Sequence, residues 1–157
     1  MQGLQGCLNL ESLLLSRNQI TAKAIACLKP LLNAPFRIQT LDLDNNELRA
    51  EGAALLVESC IPSQTLTSLQ VVDNLIGDQG AESMAQYLCR SSCLVFLDLR
   101  DNLMSSLAAC IVRQAALRRW SRGVFQGRVL LESGDASTPG LVDPGPTVRE
   151  DWWTTTL

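Results

Sequence analysis

Asparagine recurs at a fixed interval through most of this chain. Asn18, Asn46, Asn74 and Asn102 follow one another at intervals of 28 residues. Aliphatic residues hold the same positions around each asparagine. The four sets are Leu10, Leu13, Leu15 and Ile20; Ile38, Leu41, Leu43 and Leu48; Leu66, Leu69, Val71 and Ile76; and Leu94, Leu97, Leu99 and Met104. A period of this length predicts a repeat architecture, in which each copy buries its apolar face against the next copy.

Each copy carries the pattern of a short strand followed by a helix. In residues 41–43, Leu-Asp-Leu, the outer two side chains of an extended chain point to one face and the middle one points to the other. Each asparagine comes where the chain turns off the strand, so its amide can bond to the backbone of the bend and of the neighbouring copy. We therefore interpret all four asparagines as a buried structural ladder. Apolar pairs such as Leu56 and Cys60 follow at helical spacing, and Pro30 should kink or shorten the first helix.

Two segments carry a resemblance to a known family. Residues 41–60, LDLDNNELRAEGAALLVESC, and residues 94–104, LVFLDLRDNLM, are similar to leucine-rich repeats of the ribonuclease-inhibitor-like subfamily, which also form arrays in NLR immune receptors. The resemblance implies an α/β solenoid, a right-handed horseshoe segment with a parallel sheet on its concave face and helices on its convex face. It also implies a role in binding another protein along the concave face.

The repeat frame divides the chain into three parts. Residues 10–117 hold four 28-residue repeats, and residues 1–9 fit the late helix of a preceding repeat, which predicts a fragment or a short isoform of a longer array. Residues 118–157 are rich in glycine and proline, which predicts an irregular or disordered tail. Within that tail, residues 129–131 are a candidate for one additional strand.

Residues that face outward from the predicted strands are the candidate partner-binding set. They include more acidic than basic side chains, so we expect a partner with a basic surface, held by the apolar anchors Leu14 and Phe96 at either end of the sheet. The alternative is a solvated polar face that serves solubility. The candidates are Leu14, Arg17, Asp42, Asp44, Gln70, Asp73, Phe96, Asp98, Arg100 and Asp101.

Composition argues against several classes of function. The chain has no histidine, so a histidine-based catalytic triad cannot form, and no phosphate-binding GxxxxGK[ST] motif is present. The net charge of −3 does not favour a nucleic-acid surface, and no apolar run is long enough to span a membrane. The six cysteines lack CxxC spacing, so we expect reduced, mostly buried thiols in place of a metal site or a disulfide framework. The paired aspartates lack the spacing of a calcium loop.

The sequence therefore predicts a cytoplasmic protein-binding scaffold with no enzyme activity, no cofactor, no metal, no nucleic acid and no membrane. Besides its partner, the chain is expected to meet further repeats of a longer parent protein or copies of itself. Two alternatives stay open: a regulatory protein resembling the leucine-rich-repeat GTPase activators, and a truncated isoform without independent function.

Overall fold

Strands and helices alternate along the part of the chain that the computed structural model describes, which is residues 9–32, 37–121, 127–131 and 141–142. The elements are β1 (Ser12–Leu14), α1 (Ala22–Leu28), β2 (Thr40–Asp42), α2 (Arg49–Cys60), β3 (Ser68–Gln70), α3 (Gly77–Arg90), β4 (Phe96–Asp98), α4 (Ser106–Ser121), β5 (Arg128–Leu130) and β6 (Leu141–Val142).

The strands form one sheet in chain order, from β1 at one edge to β6 at the other. Strands β1 to β5 are parallel, and β6 pairs antiparallel with β5. The central residues of the parallel strands align in register as Leu13, Leu41, Leu69, Leu97 and Val129. The predicted α/β solenoid is confirmed, because equivalent positions of successive repeats lie side by side.

The core lies between the sheet and the helices. From the sheet, Leu41 and Leu69 are fully buried, and from the helices Leu56 and Met84 are fully buried. Helix α2 approaches α3 closely at Gly80, where an added Cβ would collide with the side chain of Ile76 and lie 3.2 Å from the Cβ of Ala53. Glycine at this position therefore permits the close packing of helices that a narrow repeat demands.

Two ends of the repeat array differ from a simple 28-residue frame. Helix α1 ends at Leu28, two residues before Pro30, as the proline predicts. At the other end, α4 continues to Ser121 and β5 pairs with β4 through Val129. We call one strand, its following helix and their loops a coil of the solenoid. Because Val129 pairs with Leu97 but lies more than one period after it in the sequence, the last coil is longer than the preceding ones.

Regular structure therefore occurs within residues 118–157, for which an irregular or disordered tail was expected. The end of α4 and the strands β5 and β6 lie in this region. The candidate strand at residues 129–131 is confirmed, displaced by one residue to Arg128–Leu130. Residues 122–126, 132–140 and 143–157 of that region, and residues 1–8, which are the larger part of the predicted remnant of a preceding repeat, lie outside the described residues.

Candidate functional site

The face of the sheet that carries no helices is the inner face of the array. Parallel strands lie about 4.8 Å apart, whereas packed helices need about 8–10 Å. An array with helices on one face therefore curves around its sheet, and the face opposite the helices is concave. The third residues of the strands form one row across this concave face: Leu14, Asp42, Gln70, Asp98 and Leu130.

Apolar residues lie on this face in two different coils. The side chain of Leu14 is 66% exposed, which is unusual for a leucine in a sheet. Phe96 is half-buried and aligns with Ser68 on one side and Arg128 on the other. The two predicted apolar anchors are therefore both accessible, at least in part, on the concave face.

Asp42 and Asp44 are held in fixed orientations by backbone N–H groups. The N–H of Asp44 donates to Oδ1 of Asp42 at 2.9 Å, and the N–H of Val72 in the next coil donates to Oδ1 of Asp44 at 2.7 Å. Burial raises the pKa of Asp44, the Val72 N–H opposes this, and the nearby charge of Asp42 adds to the increase. The two half-buried carboxylates therefore form a preorganised, electronegative site.

The outward-facing position of Asp98 predicts a carboxylate exposed to solvent. In the structure this carboxylate is buried, because Arg100 covers it. The guanidinium of Arg100 donates through Nε to Oδ1 at 2.9 Å and through Nη2 to Oδ2 at 2.7 Å. The Arg100 side chain is 41% exposed and that of Asp98 is 3% exposed. The ion pair raises the pKa of Arg100, mainly through the hydrogen bonds that its guanidinium donates to Asp98. Asp98 thus positions Arg100, and the group offered to a partner at this point is a cation.

Three other candidates lie at the edge of the concave face, beyond the carboxyl ends of the strands. Arg17, Asp73 and Asp101 are all exposed and adopt the left-handed backbone conformation, with φ of 59°, 51° and 57°. Asn45 holds the same position in the second coil, with φ of 55°. Asn and Asp tolerate this conformation better than other side chains with a Cβ, which explains three of these four residues.

The repeated asparagines join the coils together. Asn46, Asn74 and Asn102 are buried, and Nδ2 of each donates to a carbonyl oxygen of the preceding coil at 2.7–3.0 Å. Oδ1 of Asn102 also accepts the backbone N–H groups of Asn74 and Ile76. Asn18 departs from the expected buried ladder: it is exposed, and its Nδ2 donates to Ser16 within its own coil. It lies in the first described coil, so no described coil covers it.

Three exposed leucines were not predicted from the sequence as functional residues. Leu75 and Leu103 occupy the position after the ladder asparagine, and they are 41% and 76% exposed. Leu107, in α4, is 71% exposed. The repeat pattern indicates that the position of Leu75 and Leu103 is exposed, because the equivalent residues of the first two coils, Gln19 and Glu47, are polar.

Clusters of metal-ligating side chains and membrane-spanning helices were sought among the described residues. Within residues 9–32, 37–121 and 127–131, no three Cys, Asp or Glu side chains lie where they could hold a metal ion together. Every helix of the described chain falls short of the length or hydrophobicity that a bilayer crossing requires. The described cysteines are free thiols, and the fully buried Cys60 packs in the core as a small apolar residue.

Comparison with known families finds similarity to leucine-rich repeats. The sequence model for leucine-rich repeats matches residues 6–29, 38–57 and 63–85. These segments contain Asn18, Asn46 and Asn74, whose coils are stacked in register in the structure. The coil around Asn102 lies outside the matched segments but has the same strand register and the same asparagine contacts. A comparison with curated protein sequences gives no significant match.

Proposed function

Since the chain is a leucine-rich-repeat protein, we propose that it binds another protein on the concave face of its sheet, and that the bound region of the partner is basic. Leucine-rich repeats commonly mediate protein–protein interaction, which makes binding the natural role of the array. The specific choice of the concave face rests on the carboxylates of Asp42 and Asp44.

The internal repeat supports a cationic partner at these carboxylates. Asp42 and Asp98 hold equivalent positions, and Oδ1 of each accepts the N–H of the residue two positions later. In the fourth coil that later residue is Arg100, whose guanidinium donates hydrogen bonds to both carboxylate oxygens of Asp98. In the second coil it is Asp44, and no cation among the described residues forms an ion pair with Asp42. An arginine or lysine of a partner would supply there the charge that Arg100 supplies to Asp98.

The surrounding residues support the rest of the interface. Leu14 lies beside Asp42 in register and offers apolar area at the edge of the sheet. Arg100 offers a cation two coils from Asp44, so the face carries charges of both signs at fixed positions. Charges arranged in this way select a partner by complementarity and increase its rate of association.

We propose in addition that the array belongs to the ribonuclease-inhibitor-like subfamily and works in the cytoplasm. Helices α2, α3 and α4 have 12, 14 and 16 residues, and helices in every coil are typical of that subfamily. A reducing compartment agrees with the free thiols of the described cysteines.

Site-specific photo-crosslinking tests the proposed binding face. A photoreactive residue replaces Gln70 on the concave face, or Gln86 on the exposed side of α3, and each protein is irradiated in a lysate of cells that express the chain. We expect a discrete adduct from position 70 that is absent from position 86. Adding Asp42→Lys should remove the adduct, whereas Glu58→Lys, which makes the same charge change on α2, should leave it intact.

The experiment can contradict the proposal in two ways. Equal adducts from positions 70 and 86 would show that the concave face is not preferred. An adduct that survives Asp42→Lys would show that the carboxylates do not contribute. Circular dichroism of each variant verifies that the compared proteins are folded.

A further inference from the structure

Two exposed leucines lie side by side at the edge of the array, in a backbone conformation that leucine rarely adopts. Leu75 and Leu103 have φ of 57° and 56°. Each follows an acidic residue by two positions, Asp73 and Asp101, which also have positive φ. We call these four residues the edge patch. Such backbone outliers persist where the surrounding structure enforces them, and they often occur at functional positions.

The fold does not require leucine at this position. In the first coil the equivalent residue is Gln19, which has φ of 54° and is exposed. In the second coil it is Glu47, which is also exposed. The residues equivalent to the two aspartates are Arg17 and Asn45. The acidic and apolar character of the edge patch therefore belongs to the third and fourth coils alone among the four repeats.

Hydrogen bonds between the two loops make the edge patch rigid. The N–H of Asp73 donates to the carbonyl oxygen of Arg100 at 3.1 Å, and the N–H of Gly77 donates to that of Asn102 at 2.8 Å. Between them, the N–H of Asn74 donates to Oδ1 of Asn102 at 2.9 Å. A surface fixed in this way loses little conformational entropy on binding.

A groove opens beside the edge patch. It has a volume of about 660 Å³, and Asp73, Asp101 and Leu103 line it together with Met104 and Leu131. This volume can accept one or two large side chains of a peptide. The lining combines apolar surface with two carboxylates, so the groove favours an apolar side chain next to a cation.

We propose that the edge patch binds a peptide segment of a partner protein in which arginine or lysine flanks a large apolar side chain. The apolar side chain covers Leu75 and Leu103, and the cations meet Asp73 and Asp101. This inference rests on the proposed function, because the edge patch borders the concave face. It adds to that proposal a large apolar side chain next to the basic residues of the partner. A membrane surface fits less well, because anionic headgroups would be repelled by the two aspartates.

Fluorescence anisotropy with short labelled peptides tests the proposal on the full chain. The probes are alternating arginine and leucine, alternating arginine and serine, and alternating glutamate and leucine, all of one length. We expect the arginine–leucine peptide to bind most tightly. The double variant Leu75→Gln/Leu103→Gln should weaken its binding about tenfold, since each leucine loses part of its apolar contact area. Glutamine is chosen because Gln19 already adopts this backbone conformation.

Matched variants separate the two kinds of contact. Asp73→Asn/Asp101→Asn should weaken the arginine–leucine peptide and reduce the dependence of its affinity on salt, whereas the leucine double variant should leave the salt dependence unchanged. Val95→Gln removes an apolar side chain that is 49% exposed and immediately precedes β4, at the amino end of that strand and away from the edge patch, and should have no effect.

The outcomes distinguish this proposal from the proposed function. Loss of binding in Asp42→Lys but not in the leucine double variant would overturn the edge patch and leave the concave face as the site. Loss only in the leucine double variant would support the edge patch and count against the concave face. Equal binding of the arginine–serine peptide, or sedimentation showing that Leu75 and Leu103 join two copies of the chain, would overturn a peptide-binding role.

Discussion

Replacing Asn102 with alanine should destabilise the array strongly, because this amide satisfies several buried backbone groups at once. Oδ1 accepts the N–H of Asn74 at 2.9 Å and that of Ile76 at 3.4 Å, and Nδ2 donates to the carbonyl oxygens of Val71 and Leu99 at 2.7 and 3.0 Å. Each buried backbone group left without a partner costs about 1–3 kcal/mol. Loss of the short bond to the Asn74 N–H should cost the full amount. Loss of the longer bond to the Ile76 N–H and of the bonds to the carbonyl oxygens should cost less. We therefore expect a loss of about 3–5 kcal/mol.

Urea unfolding measures this loss, and Asn18→Ala provides the matched control. Asn18 holds the same repeat position but is exposed, so its replacement should cost less than about 0.5 kcal/mol. With a urea dependence of about 2 kcal/mol per molar, Asn102→Ala should lower the midpoint by roughly 1.5–2.5 M. Midpoints for the two variants that agree within error would refute the view that the ladder amide connects the coils.

Three other positions give direct predictions. Hydrogen bonds from the N–H and hydroxyl of Ser105 lower the pKa of Asp78, so Asp78 stabilises the fold above its ordinary pKa and this contribution disappears as the pH falls through the lowered value. Urea midpoints of the wild type and Asp78→Ala should therefore differ at neutral pH and converge well below about pH 4; a constant difference would contradict this. Burial raises the pKa of Cys60, so a thiol reagent should label the exposed Cys89 in the folded protein and Cys60 only on unfolding, as peptide mass mapping would report. Leu103→Asn should raise the free energy of unfolding by about 1 kcal/mol, because asparagine tolerates positive φ better than leucine; a lower urea midpoint would argue against backbone strain there.

The fold could be predicted because its main signal is periodic. Strands β2, β3 and β4 each contribute a fully buried leucine at the same repeat position, and the structure aligns Leu41, Leu69 and Leu97 as the repeat requires. The last strand was harder to place. A strict 28-residue period predicts that Phe125 pairs with Leu97. In the structure Val129 pairs with Leu97, because α4 extends to Ser121 and lengthens the last coil. Periodicity cannot predict how many residues an extended helix and its following turn will use.

The candidate site was predicted less completely, because alternation along a strand determines the face of a residue but not its exposure. Asp98 lies on the predicted face, yet Arg100 bonds to it and shields it from solvent. Both residues lie on one face two positions apart, so their pairing could have been anticipated from the strand pattern. The edge patch was predicted only in part: the polar residues Gln19 and Glu47 at equivalent positions indicate that Leu75 and Leu103 are exposed, but only the structure shows the positive φ of these leucines.

The reversal of β6 makes the two borders of the described sheet chemically different. One border is β1, a three-residue strand in which Leu14 is exposed. The other border is β6, a two-residue strand that pairs antiparallel with β5. Very short outer strands discourage further strand addition, so association through backbone hydrogen bonds would be confined to β1. Two copies that meet through the same border are related by a twofold axis, and such contacts close on themselves. Joining of this kind would produce a finite pair of molecules and no filament.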